Sequence, residues 1–304
     1  MSDQPRISRI AVIGFGEAGS IFGQDLAKQG REVVTYDILL DAPASRTGML
    51  ERARAAGVAS ADSLREAVRN ADLVISVVTA TSAWDVAHDA TAFLRPGQVF
   101  LDINSVSPET KRGNARAVEA SGADYVEAAV MAPVPPQRLT VPMLLGGLRS
   151  RAVAAVLQSF GMHATAVSDE IGTASAIKMC RSIMIKGLEA LTVECLFAAR
   201  RFGAEQAVLA SLDNSFPHMG WGAHLPDYLV SRVAEHGWRR AAEMREVART
   251  LADVGLRPIM ATAAADRQEE LVRQIAEAGL PYVEPFSWRA ISDRLAAAGT
   301  PGGR

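Results

Sequence analysis

The sequence predicts an α/β protein: a parallel sheet in the first half, then a second half of helices alone, the two joined by one long helix. Three observations carry this. Short apolar runs alternate with amphipathic stretches from Arg9 to Val130. A glycine-rich turn, Gly14-Phe15-Gly16-Glu17-Ala18-Gly19, follows the first of those runs directly. From Thr173 to Arg201 the pattern is helical without a break. Strands alternating with helices imply βαβ units and therefore a parallel sheet.

Composition narrows the class. At 304 residues the chain suits one large domain or two ordinary ones, and 49% hydrophobic residues leave ample material for cores. A net charge of −2 lacks the basic footprint of nucleic-acid or acidic-membrane binding. Cys180 and Cys195 fall within predicted helix and are expected to pack as small apolar residues rather than pair, which suits a reducing cytoplasm. Met1 to Arg9 is polar and runs straight into a strand, unlike a secretory signal. The longest apolar stretch, Leu188 to Ala199, is interrupted by Glu189 and Glu194 and is too short to span a bilayer. A soluble, cytoplasmic protein with no nucleic-acid or membrane partner is expected.

The first strand is Arg9 to Ile13. Gly14 then makes the tight turn, Gly16 lets backbone approach a pyrophosphate, and Gly19 allows close helix–strand packing. Ile21, Phe22, Leu26 and Ala27 recur at helical spacing until Gly30 stops the helix. The free N–H groups and dipole of that helix N-terminus favour an anion. This is the dinucleotide-binding, Rossmann-type context. The next strand, Glu32 to Tyr36, ends in Asp37, at the distance where an acid meets the adenosine ribose. A carboxylate there repels a 2′-phosphate and favours NAD. Arg46 downstream leaves NADP open, and Asp37 as a simple loop cap is the plainer alternative.

The alternation continues through a helix at Leu64–Val68, a strand at Asp72–Val78 ending at Thr79, and a helix at Trp84–Phe93. Val99–Ile103 is strand, Thr110–Ala120 helix, and Ala123–Val130 strand. Thr79, Ser105 and the segment after Val130 all fall at the carboxyl edge of the sheet, where ligands of such folds bind.

Lys178 stands in the small, apolar run Ile171 to Ser182. Lysine set against an apolar cleft is desolvated, which lowers its pKa toward the range useful for proton transfer; the plain alternative is a surface lysine. Lys178, Ser182 and Lys186 lie at i, i+4 and i+8, on one helix face. Lys178 and Ser182 are expected to point into the same cleft, and Lys186 to be solvated or ion-paired. Gly187 weakens the helix, for which close packing against a partner is one reason.

Taken together, Gly14 to Gly19, Val77-Val78-Thr79, Asp102-Ile103-Asn104-Ser105-Val106-Ser107-Pro108, Leu144-Leu145-Gly146-Gly147 and the stretch around Lys178 resemble the β-hydroxyacid dehydrogenase superfamily, in order and spacing, over roughly residues 8 to 200. That superfamily includes 3-hydroxyisobutyrate and 6-phosphogluconate dehydrogenases. The resemblance implies that Val78, Thr79 and Ser105 line the nicotinamide side of NAD(P), that Lys178 is the catalytic lysine, and that the protein is a homodimer joined through the long helix. Three departures stand out. The family's Asp-Ala-Pro-Val-Ser-Gly-Gly substrate loop corresponds here to Glu127 to Pro133, followed by Val134-Pro135-Pro136. Proline has no N–H to donate, so Met131, Ala132 and their neighbours make a poorer anion cradle and a more apolar wall. The family's asparagine one turn after the lysine is Ser182, with Arg181 beside it as a carboxylate anchor. The family's second-domain Lys-Asp pair falls near Ala242-Glu243, which loses that lysine's contact.

In the second half, glycines and prolines interrupt any helix between Asn214 and Tyr228, and His218 and His224 there lack the partners of a metal site. Ser231–Val254 is helical, with His236, Arg240 and Glu243 expected on a solvated face. Ala261–Ala278 and Trp288–Ala298 are further helices. The domains are expected at 1–169, dinucleotide-binding, and 170–304, helical, for substrate and dimerisation. The implied activity is an NAD(P)-dependent oxidoreductase that interconverts a 3-hydroxy-acid-like alcohol and its carbonyl. Lys178 would be the general acid/base and Ser182 an orienting group, on a small-molecule substrate bulkier or more apolar than usual. An imine reductase or reductive aminase, or a non-catalytic NAD(P)-binding module, is the alternative.

Overall fold

A computed structural model describes residues 5–299 of the chain. The chain divides into two compact units, one up to Lys178 and one from Met179. The first begins β1 (Arg9–Ile13), α1 (Glu17–Lys28), β2 (Glu32–Tyr36), α2 (Pro43–Ala55), β3 (Ala59–Ser60), α3 (Leu64–Arg69), β4 (Leu73–Ser76) and α4 (Ala83–Thr91). It continues β5 (Val99–Asp102), α5 (Pro108–Ala120), β6 (Asp124–Val130), α6 (Val134–Gln137), β7 (Met143–Gly146), α7 (Ser150–Ser159) and β8 (Ala164–Ser168). The long helix α8 (Thr173–Arg201) starts in this unit.

The eight strands form one sheet in the order β3-β2-β1-β4-β5-β6-β7-β8. Every pairing is parallel except β6 with β7. That reversal was not expected from the sequence. Residues 131–142 hold only the short α6 and a 3₁₀ turn, without the longer helix that usually carries the chain back for a parallel return. Both faces of the sheet are covered. Ile10, Val12, Leu73, Ile75, Val99 and Leu101 pack in one apolar cluster, and the alternate residues Ala11, Ile13, Val74 and Phe100 pack in another. Burial on both sides explains why these strands read as unbroken apolar runs.

The second unit contains the rest of α8 with α9 (Glu205–Ser215), α10 (Leu225–Asp253), α11 (Ile259–Glu277) and α12 (Trp288–Gly299). Its core has two parts. Val193, Leu196, Val230, Leu271 and Trp288 belong to one, and Met179, Ala190, Met244 and Ala265 to the other. The interrupted segment is residues 216–224; α10 begins within the stretch expected to be irregular, because Pro226 sits in its first turn, where no N–H is needed.

Two expectations need correction. Cys180 and Cys195 are free thiols, but both are exposed rather than packed. Each is a chain neighbour of a buried residue, Met179 and Leu196, and one residue along a helix is a 100° rotation away from the core. The charged face of α10 is not solvated either: Arg240 and Glu246 are buried and Glu243 is half-buried, because α8 brings Lys186 and Glu189 to meet Glu243 and Arg240. Among the described residues, no helix is long and apolar enough to cross a membrane, and no group of three or more His, Cys, Asp or Glu side chains could hold a metal ion.

Candidate active site

The carboxyl edge of the sheet gathers the turn after β1, Asp37 after β2, Val78 and Thr79 after β4, Ser105 after β5, and Met131 and Ala132 after β6. Gly14 has φ +92°, and a Cβ there would lie 2.5 Å from the Val77 carbonyl oxygen. A Cβ on Gly19 would overlap the Gly14 carbonyl oxygen. Nothing lies within 4 Å of a Cβ built on Gly16, the N-cap of α1, which carries no side-chain cap. Gly16 and Glu17 are exposed and Ala18 is half-buried, so the first-turn N–H groups face open space, the geometry a pyrophosphate requires. Phe15 differs from its neighbours: its ring is fully buried in the sheet core, and its N–H donates to Asp37 Oδ2 at 2.7 Å. Asp37 Oδ1 accepts from Leu39 N at 3.0 Å. The carboxylate thus caps its own loop and stays half-buried at the end of β2. Arg46 is engaged elsewhere, donating from Nη2 to Asp62 at 2.7 Å and from Nη1 to the Leu40 carbonyl at 2.8 Å.

A buried polar network holds the neighbouring loops. Val78 N donates to Asn104 Oδ1 at 2.6 Å, and Asn104 Nδ2 donates to Ser76 Oγ at 2.9 Å and Asp102 Oδ1 at 2.8 Å. Asp102 is fully buried. Lys111 Nζ donates to its Oδ1 at 2.8 Å, and Tyr125 Oη and Asn114 Nδ2 donate to its Oδ2 at 2.7 and 3.1 Å. Burial alone would raise the Asp102 pKa, but the Lys111 ammonium and these donors hold it below the usual carboxylate range. Val78 and Ser105 are half-buried and Thr79 is exposed, its hydroxyl 2.9 Å from Thr81 Oγ1. Met131 and Ala132 are half-buried. The Met131 N–H is already donated to the Pro142 carbonyl at 2.9 Å, which removes another donor from the loop after β6.

The start of α8 is tied to β6 by one side chain. Glu127, fully buried, accepts through Oε1 from Gly172 N at 2.7 Å and Ala174 N at 3.0 Å. Its Oε2 accepts from Ser175 Oγ at 2.8 Å and Ser175 N at 3.3 Å. These are first-turn donors that a helix cannot satisfy itself, and a carboxylate is the charge its N-terminus favours. Lys178 follows three residues later and is half-buried. Farther along, Arg181 is exposed and Ser182 is buried, with Lys186 Nζ donating to Ser182 Oγ at 3.1 Å. Asp102, Lys111, Tyr125 and Glu127 were not singled out from the sequence as site-forming. Glu127 did carry a signal: an acid inside the apolar run Val126 to Val130 must find a partner if that strand is buried.

Comparison with known proteins agrees with this geometry. The profile of the NAD binding domain of 6-phosphogluconate dehydrogenase matches residues 9–168, and a domain of unknown function, DUF1932, matches residues 199–271. The chain is 37% identical to a conserved hypothetical protein of Sinorhizobium meliloti 1021, whose structure superposes with a TM-score of 0.80 over 97% of each chain. It is 28% identical to an uncharacterized 28.5 kDa protein of Methanothermus fervidus, over 83% of this chain and 94% of that one. It is 26% identical to the 3-hydroxyisobutyrate dehydrogenase of Pseudomonas aeruginosa, over 78% of this chain and 80% of that one. The profile match covers more than half of the chain, and the chain belongs to the β-hydroxyacid dehydrogenase superfamily, NAD(P)-dependent oxidoreductases that act on CH–OH groups.

Proposed function

We propose that this protein oxidises a 3-hydroxy-acid-like alcohol to its carbonyl, and runs the reverse reaction, with Lys178 as general acid/base. The observation that carries the proposal is the placement of Lys178 three residues beyond Ser175, in a helix whose start is held by buried Glu127. NAD(P), when bound, supplies the hydride acceptor or donor. Neutral Lys178 takes the hydroxyl proton in oxidation, and its ammonium returns it in reduction, a step worth about 10²–10⁴-fold. Ser182 orients the substrate, Ser105 the cofactor, and Arg181 anchors a carboxylate. The names of relatives such as the Pseudomonas aeruginosa enzyme support a hydroxy acid. The committed Met131 N–H and the proline-rich α6 support a substrate with a larger apolar portion.

Gly14, Phe15, Gly16, Glu17, Ala18 and Gly19 form the pyrophosphate turn in this proposal, and Val78, Thr79 and Ser105 lie at the nicotinamide. Preference for NAD is supported by the carboxylate of Asp37 and by Arg46, whose guanidinium is already engaged. A cytoplasmic homodimer is part of the same proposal. Ile177, Met184 and Leu191 are 40%, 74% and 54% exposed on α8, and a Cβ on Gly187 would meet nothing within 4 Å. That apolar stripe is the surface a second copy would cover.

The test is absorbance of the reduced nicotinamide, with NAD and NADP, across 3-hydroxy acids and branched or aromatic alcohols. Turnover of one alcohol class that disappears in Lys178→Ala, with NADH still bound, is the expected result. Unaltered turnover in Lys178→Ala sinks the mechanism, and turnover of cyclic imines in place of alcohols moves the protein to the reductive aminases.

A further inference from the structure

Polar groups interrupt the inner face of α8. Ser182 and Lys186 are 7% and 8% exposed, and Met179, Ile183 and Ala190 beside them pack with Met244 and Ala265. A buried ammonium is costly unless it is paired. Lys186 Nζ has two partners: Glu243 Oε2 on α10 at 3.0 Å and Ser182 Oγ, one turn back, at 3.1 Å. Glu243 is itself held, its Oε1 accepting from Arg239 Nη1 at 2.8 Å. Gln268 Nε2 of α11 donates to the Lys186 carbonyl at 3.1 Å, so a third helix holds the same turn. A buried carboxylate nearby, Glu189, sits with Arg240 Nη1 at 3.1 Å. Glu243 is therefore the carboxylate that fixes Lys186.

An ammonium can only donate, so Ser182 Oγ spends a lone pair on Lys186 and must turn its own O–H elsewhere. Among the described residues, no hydrogen bond takes that proton. A hydroxyl that accepts from a cation is also the stronger donor, because linked hydrogen bonds polarise one another. We infer that Lys186 and Glu243 are a positioning pair that holds the Ser182 hydroxyl as a hydrogen-bond donor toward the substrate, an inference that rests on the role proposed for Ser182 above. The group such a donor serves is a carboxylate or carbonyl oxygen. A buried ion pair is a poor stabiliser compared with an apolar pair of similar volume. Stability and turnover therefore separate a structural role from a positioning one.

The experiment is a double-mutant cycle on the full chain with NAD, using 3-hydroxyisobutyrate as the probe. Lys186→Met is expected to lower kcat/KM about tenfold, and to change Ser182→Ala by less than about twofold, because the lysine acts through that hydroxyl. Lys186→Arg, which keeps a charged donor, restores most of the loss. Equal losses in both backgrounds overturn the inference. Glu243→Gln takes the place of Lys186→Met in the cycle if that variant does not fold. Nitrogen-15 spectra of the lysine side chains give a second readout that needs no turnover. The Lys186 Nζ resonance should shift in Ser182→Ala and in Glu243→Gln, and a resonance indifferent to both refutes the pair. Lys178→Ala run alongside keeps the two proposals apart: turnover that survives it removes Lys178 as the general acid/base, while the Lys186–Ser182 coupling is still read from that turnover and from the spectra.

Discussion

Replacing Glu127 tests how the start of α8 is held. Its carboxylate satisfies three backbone amides, those of Gly172, Ala174 and Ser175, together with the Ser175 hydroxyl. Hydrogen bonds to a charged group are worth about 1.5–3 kcal/mol each, and an orphaned buried donor costs about 1–3 kcal/mol. Glu127→Gln keeps one oxygen for Gly172 and Ala174, but places an NH₂ against the Ser175 N–H and removes the charge that the helix dipole favours. About 2–4 kcal/mol of local stability should go. Glu127→Ala strands all the donors in a dry site and should cost about 4–6 kcal/mol. Because the chain has two compact units, one global unfolding curve is a poor measure. Native-state hydrogen exchange at Ala174 and Ser175 reads the effect locally. Protection in Glu127→Gln should fall roughly 30- to 900-fold, at 1.36 kcal/mol per decade. Gly146→Ala offers an independent perturbation, since its Cβ would lie 2.5 Å from Glu127 Oε1 and push the carboxylate off its donors. Protection at Ser175 within about threefold of wild type in both variants would refute the reasoning.

Three further outcomes follow from the geometry. Burial pushes the Glu189 carboxyl up to about 7 from 4.5, against the pull of Arg240 and Lys186. The folded state then holds its proton where the unfolded chain releases it, so stability is fully present below pH 4.5 and declines as pH rises through about 7, by about 3 kcal/mol in total. Glu189→Gln should remove that slope from urea unfolding followed by the tryptophans of the second unit, Trp221, Trp238 and Trp288; an unchanged slope assigns it to another group. Gly16→Ala should leave thermal stability unaltered, because its Cβ meets nothing, while weakening NADH binding at least about tenfold by blocking approach to the turn. Gly19→Ala should lower stability itself, because its Cβ overlaps Gly14. Equal effects of the two on melting would show that the turn does not separate fold from binding. Lys111→Met leaves Asp102 buried and uncompensated, and should cost about 3–5 kcal/mol in denaturant unfolding of the first unit; a loss below about 1 kcal/mol would mean that Tyr125 and Asn114 carry the charge unaided.

Much of this protein was legible in the sequence where the signal is local. The turn from Gly14 to Gly19 depends on glycines a few residues apart, and it forms as expected. The long helix runs from Thr173 to Arg201, the bounds its periodicity predicted, because helical spacing is a property of the segment alone. Helices α2, α7 and α9 were not assigned; α2 buries only Met49 and Ala53, too few apolar positions for a clear period. Lys178, Ser182 and Lys186 could be put on one helix face by counting, and the Ser182–Lys186 hydrogen bond agrees with that count.

What covers a face, and which strand lies beside which, only the tertiary structure decided. The reversal of β7 against β6 goes with a connection that holds no crossover helix, and the charged residues of α10 are buried because α8 packs over them. Glu127 reaches the start of α8 across more than forty residues, and Tyr125 meets Asp102 from the neighbouring strand. Periodicity reports which residues share a face. The partner of a buried charge is chosen by long-range packing, since a charge without one could not remain in the interior.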